Sequence, residues 1–166
     1  PWEGCLTLGA DFNYAYGDHY KSPRELVNLL VNIVAKGGNM ALNVSPQPDG
    51  RIPVEAWESL RGLGAWMQTY GEAIYGTRIC APYQSGNLAF TQKGDTVYAI
   101  RLYPEEGEAV EEELLIPYQG KIRGISMVDT KKAVEWQITE EGIRVVIPKE
   151  YREGDTPIAI VWKIER

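Results

Sequence analysis

The chain has 166 residues, 44% of them hydrophobic and 24% charged, the balance of a folded globular protein and not of a disordered one. A net charge of −6 argues against a nucleic-acid partner, because phosphate binding needs concentrated Lys and Arg. No apolar run approaches the roughly 18 residues that cross a bilayer, so no membrane partner is expected either.

The N-terminal part has a helical period. Residues 1–8 read as a strand. Ser22-Pro23-Arg24-Glu25 is a capping box with Pro at the first helical position, so a helix is predicted from there. Leu26, Leu29, Leu30, Ile33 and Val34 form its apolar stripe, and Gly37-Gly38 ends it. The segment from Asn39 to Ser45 then reads as a short buried strand of a parallel sheet. Asp49-Gly50 makes a turn, and Pro53 opens a second helix expected to carry Trp57, Leu60, Leu63 and Met67 inward. Strand, helix, strand, helix is the order of an α/β fold.

Beyond residue 78 the period drops to two. Leu88 and Phe90, then Tyr98, Ile100 and Leu102, then Val134, Trp136 and Ile138 alternate with polar or small neighbours. Ile143, Val145 and Ile147, then Ile158, Ile160, Trp162 and Ile164, repeat the pattern. Gly-containing turns separate them, so residues 79–166 are expected to form a small antiparallel β-sandwich. Glu111-Glu112-Glu113 reads as a solvated start of a strand, and Trp136 and Trp162 read as core.

Cys5 and Cys80 read as two buried thiols. With one His and no CxxC pair, a protein-built zinc site is not expected, and nothing calls for a metal or another cofactor. The aromatic content, ten Tyr and five Trp, suits a core and also a sugar-binding surface. Two β/α units cannot cover both faces of their strands, whereas a closed barrel needs eight such units and about 250 residues. Residues 1–78 therefore read as the terminal part of a (β/α)8-like barrel whose other strands lie outside this chain.

The segments PWEGCLTL, DFNY, SPRELVNLLVNIVAKGGNMALNVSPQPDGRIP and GAWMQTYGEAIYGTR together resemble one continuous stretch of the family 29 α-L-fucosidases. DTVYAIRLY resembles their C-terminal sandwich. Two stretches depart from the family pattern: Phe12-Asn13-Tyr14 replaces a Trp-Gly-Tyr, and Ser45 replaces the Gly of Asn-Val-Gly-Pro. The resemblance implies the C-terminal portion of a retaining glycosidase. Its partners would be an N-terminal barrel polypeptide carrying the nucleophilic Asp and a fucosylated glycan as substrate; a homo-oligomer stays open. The competing reading is a non-catalytic carbohydrate-binding or accessory protein derived from such an enzyme.

Within that frame Glu3 is the candidate catalytic residue. Neighbouring strand residues point oppositely, so Glu3 faces the barrel interior if Trp2 packs outward. Acid/base, a carboxylate orienting the acid/base, and a structural Glu are the three readings. Phe12 is a candidate for the substrate-binding wall, and Trp2 is a second aromatic candidate for sugar contact. Asp11 reads as a turn cap, His19 as a surface or hydrogen-bonded residue, and Asn43 as a support for the loops at the strand ends.

Overall fold

The computed structural model describes residues 2–166, and its elements follow the predicted order. β1 (Trp2–Thr7) and β2 (Gly38–Asn43) pair in parallel, with Glu3 beside Asn39 and Thr7 beside Asn43. Helix α1 (Pro23–Ala35) crosses between them. Its capping box is complete: Glu25 N–H donates to Ser22 Oγ at 3.2 Å, and Ser22 N–H donates to Glu25 Oε2 at 2.8 Å. That backbone hydrogen bond holds the Glu25 carboxyl below the usual carboxylate range. At the other end Gly37, at φ +79°, takes the left-handed conformation that turns the chain into β2.

Helix α2 (Val54–Tyr70) runs on into a short 3-10 turn, Gly71–Ala73. Its buried residues are Ala56, Ser59 and Trp66. Leu60, Leu63 and Met67 are half-buried, as their spacing predicts, but Trp57 is exposed. Trp57 lies on the other flank of the helix, where Arg61 packs its guanidinium 5.8 Å from the ring centroid.

The remaining strands form two antiparallel sheets. One contains β3 (Arg78–Ser85), β4 (Leu88–Lys93), β5 (Thr96–Leu102), β7 (Gly124–Met127) and β10 (Ala159–Glu165), in the order β3-β4-β5-β10-β7. The other contains β6 (Glu113–Ile116), β8 (Trp136–Thr139) and β9 (Gly142–Val146), in the order β6-β9-β8. A single helical turn, α3 (Lys149–Arg152), precedes β10. Leu88, Phe90, Ile160, Trp162 and Ile164 of the larger sheet pack on Ile116, Ile143 and Val145 of the smaller.

The larger sheet is buried on both faces. Ala89, Tyr98, Ile100, Leu102 and Val161 point away from the smaller sheet and pack against Val27, Val31, Trp66 and Ala73 of the helical part. Residues that break a simple alternation, such as Ala89, Thr91, Val97 and Ala99, are therefore buried as well. In the smaller sheet Ile138 departs from its expected core position and is exposed. It pairs with buried Ile143, but it lies on β8, the edge strand of its sheet.

Polar contacts bind the helical part to the sheets. Arg24 donates to the carbonyls of Tyr103, Pro157 and Thr156 at 2.5, 3.0 and 2.8 Å. Asp129 accepts from Tyr70 Oη at 3.1 Å and from Tyr151 Oη at 2.7 Å. Glu72 accepts from Tyr98, Lys131 and Lys163. The acidic run is not wholly solvated: Glu111 accepts from Arg101 Nη2 at 2.6 Å and from Tyr103 Oη at 2.8 Å. Glu112 and Glu113 stay exposed, each within ion-pair reach of an Arg.

Candidate functional site

The parallel pair β1/β2 has two unlike faces. A Cβ on Gly4 would meet Ile33 of α1 at 3.2 Å, and one on Gly38 would fall 2.6 Å from the Trp2 indole. Trp2, Gly4 and Gly38 thus lie on the helix side, with Met40 and Leu42 packing into the cores beneath. By alternation the opposite face carries Glu3, Cys5 and Thr7 from β1 and Asn39, Ala41 and Asn43 from β2. Glu3, Cys5 and Asn39 are exposed there. Glu3 therefore faces away from the helices, as its neighbour Trp2 requires. The expectation of two buried thiols holds for Cys80 alone; Cys5 is exposed because it shares the open face of Glu3.

Trp2 sits at the start of β1. Its Nε1 donates to the Lys36 carbonyl at 3.0 Å, and its ring covers Gly38. It borders an open groove of about 820 Å³ whose apolar wall includes Val34, Met40, Ile74, Tyr75 and Ile79. This groove is at the N-terminal end of the strands, opposite the end from which the Phe12 loop departs. Glu3 is also low on the strand, four positions before Thr7, or about 13 Å at the usual rise. The structure thus brings Glu3 and Trp2 to one end and leaves Phe12 at the other.

The loop after β1 is closed at its base. Lys21 N–H donates to the Leu8 carbonyl, and Lys21 Nζ donates to the carbonyls of Thr7 and Gly9 at 2.8 and 3.3 Å. Asp18, not Asp11, does the capping: its carboxylate accepts from the amides of Ala10 and His19 at 3.0 and 2.7 Å. Asp11 and His19 are exposed. Phe12 is 56% exposed, and its carbonyl accepts from Ser45 Oγ at 2.7 Å. Asn43 Oδ1 lies 3.2 Å from the same hydroxyl. Asn39 was not among the predicted site residues. Its signal was the parallel register, which sets it directly beside Glu3.

A sequence profile described as Alpha-L-fucosidase matches residues 1–72. The Alpha-L-fucosidase of Branchiostoma floridae is 32% identical over 160 residues, covering 89% of this chain and 34% of that protein. Among solved structures, an α-fucosidase from Thermotoga maritima in complex with a mechanism-based inhibitor superposes with a TM-score of 0.86 at 30% identity, covering 99% of this chain and 40% of that one. Alpha-L-fucosidase isoenzyme 1 from Paenibacillus thiaminolyticus gives 0.86 at 29% identity, covering 99% and 39%. The chain spans about a third of the length of the curated relatives it matches. The profile covers residues 1–72, the relatives and the fold cover almost all of the chain, and the chain belongs to the α-L-fucosidase family.

Proposed function

We propose that this chain is the C-terminal part of a retaining glycoside hydrolase that removes α-L-fucose from fucosylated glycans or glycosides. On this reading residues 1–78 complete a β/α barrel begun by an N-terminal polypeptide, and residues 79–166 are the sandwich that follows it. The carrying observation is the β1/β2 pair: it turns a face with Glu3, Thr7, Asn39 and Asn43 away from its helices, and among the described residues each of its strands pairs only with the other. Further strands on both edges would make that face the interior of a ring.

Retaining hydrolysis needs two carboxyl groups about 5–5.5 Å apart. The N-terminal polypeptide supplies the nucleophilic Asp, which attacks the anomeric carbon while the glycosidic bond breaks. Glu3 is the inward carboxyl of this chain. It serves as the acid/base or as the carboxylate that supports it, and because it lies about 13 Å below the strand end that carries Phe12, the first role requires the sugar to reach down to it. As acid/base it gives its proton to the leaving oxygen, then takes one from the water that attacks the glycosyl-enzyme and frees the Asp.

Glu3→Gln in the complete enzyme, assayed on an aryl fucoside with and without azide, tests this. Loss of about 10²–10⁴-fold in kcat, recovered by azide with formation of a fucosyl azide, marks the acid/base. Loss without recovery marks a carboxylate that orients the true acid/base. An unchanged rate removes Glu3 from the reaction.

A further inference from the structure

Phe12 and Ser45, from the two stretches that depart from the family pattern and 33 residues apart in sequence, touch in space. Ser45 Oγ lies 2.7 Å from the Phe12 carbonyl oxygen and 3.2 Å from Asn43 Oδ1. A hydroxyl has one proton, and it goes to the nearer acceptor, Phe12. The Asn43 amide then serves best when turned to present its NH2 group to the hydroxyl oxygen. The resulting relay runs from the last residue of β2, through Ser45, to the backbone of the loop after β1.

Little else holds that loop tip. The bonds of Lys21 and Asp18 secure the base, at Thr7–Ala10 and Asp18–Lys21. Between Asp11 and Gly17, among the described residues, the bond from Ser45 is the one hydrogen bond tying the loop to the rest of the chain. The tip carries Phe12 at 56% exposure, with Gly17 in the left-handed region at φ +71° and no contact around its Cβ position. A glycine at position 45 could not make this bond.

We infer that Ser45 is a positioning residue: its hydroxyl fixes the backbone of Phe12 and so sets where the Phe12 ring meets the sugar. This rests on the fucosidase reading above together with the expectation, from the family resemblance, that Phe12 lines the substrate wall. Ser45 touches no reacting atom, so its effect falls on binding and not on chemistry.

The test uses Ser45→Ala and Ser45→Thr in the complete enzyme, with steady-state kinetics on an aryl fucoside and limited chymotrypsin cleavage within the tip, which offers Phe12, Tyr14 and Tyr16. Loss of one neutral hydrogen bond predicts a KM about fivefold higher for Ser45→Ala, with kcat within about twofold. Ser45→Thr, which keeps the hydroxyl, returns KM to near the parent value. Chymotrypsin cuts the tip faster in Ser45→Ala alone, while the rest of the chain is cut no faster. Unchanged cleavage of the tip in Ser45→Ala overturns the inference, as does a Thr variant impaired as much as the Ala variant. Absence of fucoside turnover in the parent enzyme, with the cleavage result as expected, defeats the fucosidase reading and leaves the loop-fixing role standing.

Discussion

The guanidinium of Arg24, one residue into helix α1, donates to the carbonyl of Tyr103 at 2.5 Å, just past the end of β5. Its other contacts, to Pro157 and Thr156, lie just before β10. One side chain thus joins the start of a helix to two neighbouring strands of the larger sheet. Arg is suited to this because its fixed, planar fork presents several donors at once.

Arg24→Ala leaves three carbonyls without this donor and is expected to destabilise the chain by about 3 kcal/mol, read as a lower denaturant midpoint at unchanged slope. Arg24→Lys recovers only part of this, because a single ammonium cannot reproduce the geometry of the fork. A midpoint unchanged in the Ala variant would show that the clamp contributes nothing.

Acid is expected to loosen the same junction through Glu72. Burial works to raise its carboxyl, but hydrogen bonds from Lys131 and Lys163 outweigh it and hold the group below the ordinary carboxylate range. A folded-state value below the unfolded one contributes stability that is present above the unfolded pKa, near 4.3, and lost as pH falls through the folded value. Glu72→Gln should flatten the stability–pH curve on its acid side. Identical curves for the two proteins would rule Glu72 out as the source.

The alkaline limb has its own reporter. Tyr98 donates to Glu72, and burial together with that carboxylate pushes its phenol up to about 12. A raised folded-state value gives stability that is complete below the unfolded value, near 10, and lost as pH climbs through the folded one. Tyr98→Phe is expected to remove part of the stability loss between those values, followed by phenolate absorbance and unfolding together. A loss of the same size in Tyr98→Phe would refute the assignment.

Trp162 is fully buried between the sheets, and its Nε1 is buried without a hydrogen-bond partner. Trp162→Ala should cost about 3–5 kcal/mol, as expected for emptying a core position of that size. Trp162→Phe should cost clearly less, since it fills much of the space and removes the unsatisfied donor. Equal losses in thermal unfolding would mean that packing volume is not what Trp162 supplies.

Without further strands, the chain should self-associate. Among the described residues both outer edges of the β1/β2 pair lack a strand partner, and Trp2, Tyr75 and Ile79 are exposed beside the apolar groove. Light scattering should show aggregates for the chain alone and their loss when it is produced with an N-terminal barrel polypeptide. A monodisperse monomer with high thermal stability would argue that no partner is needed.

Much of the local structure was legible in the residues themselves. The capping box at Ser22–Glu25, the glycines after α1 and the change from a helical to an alternating period at residue 78 each act over a few neighbouring positions. Each was found where the pattern placed it. The orientation of Glu3 followed from strand alternation, once Trp2 was assigned to the other side.

What the linear pattern could not decide depends on partners distant in the chain. Ala89 and Thr91 are buried because helices from the first 78 residues cover the far face of the larger sheet, whereas Trp57, beneath only the Arg61 guanidinium, and Ile138, on an edge strand, stay exposed. Apolar character states that burial is favourable but not which surface will supply it. Likewise a hydroxyl at position 45 declares no acceptor; only the folding of β1 beside β2 brings Phe12 within its reach. Short-range sterics and hydrogen bonding set the elements, and the contacts between them decide which faces remain open for chemistry.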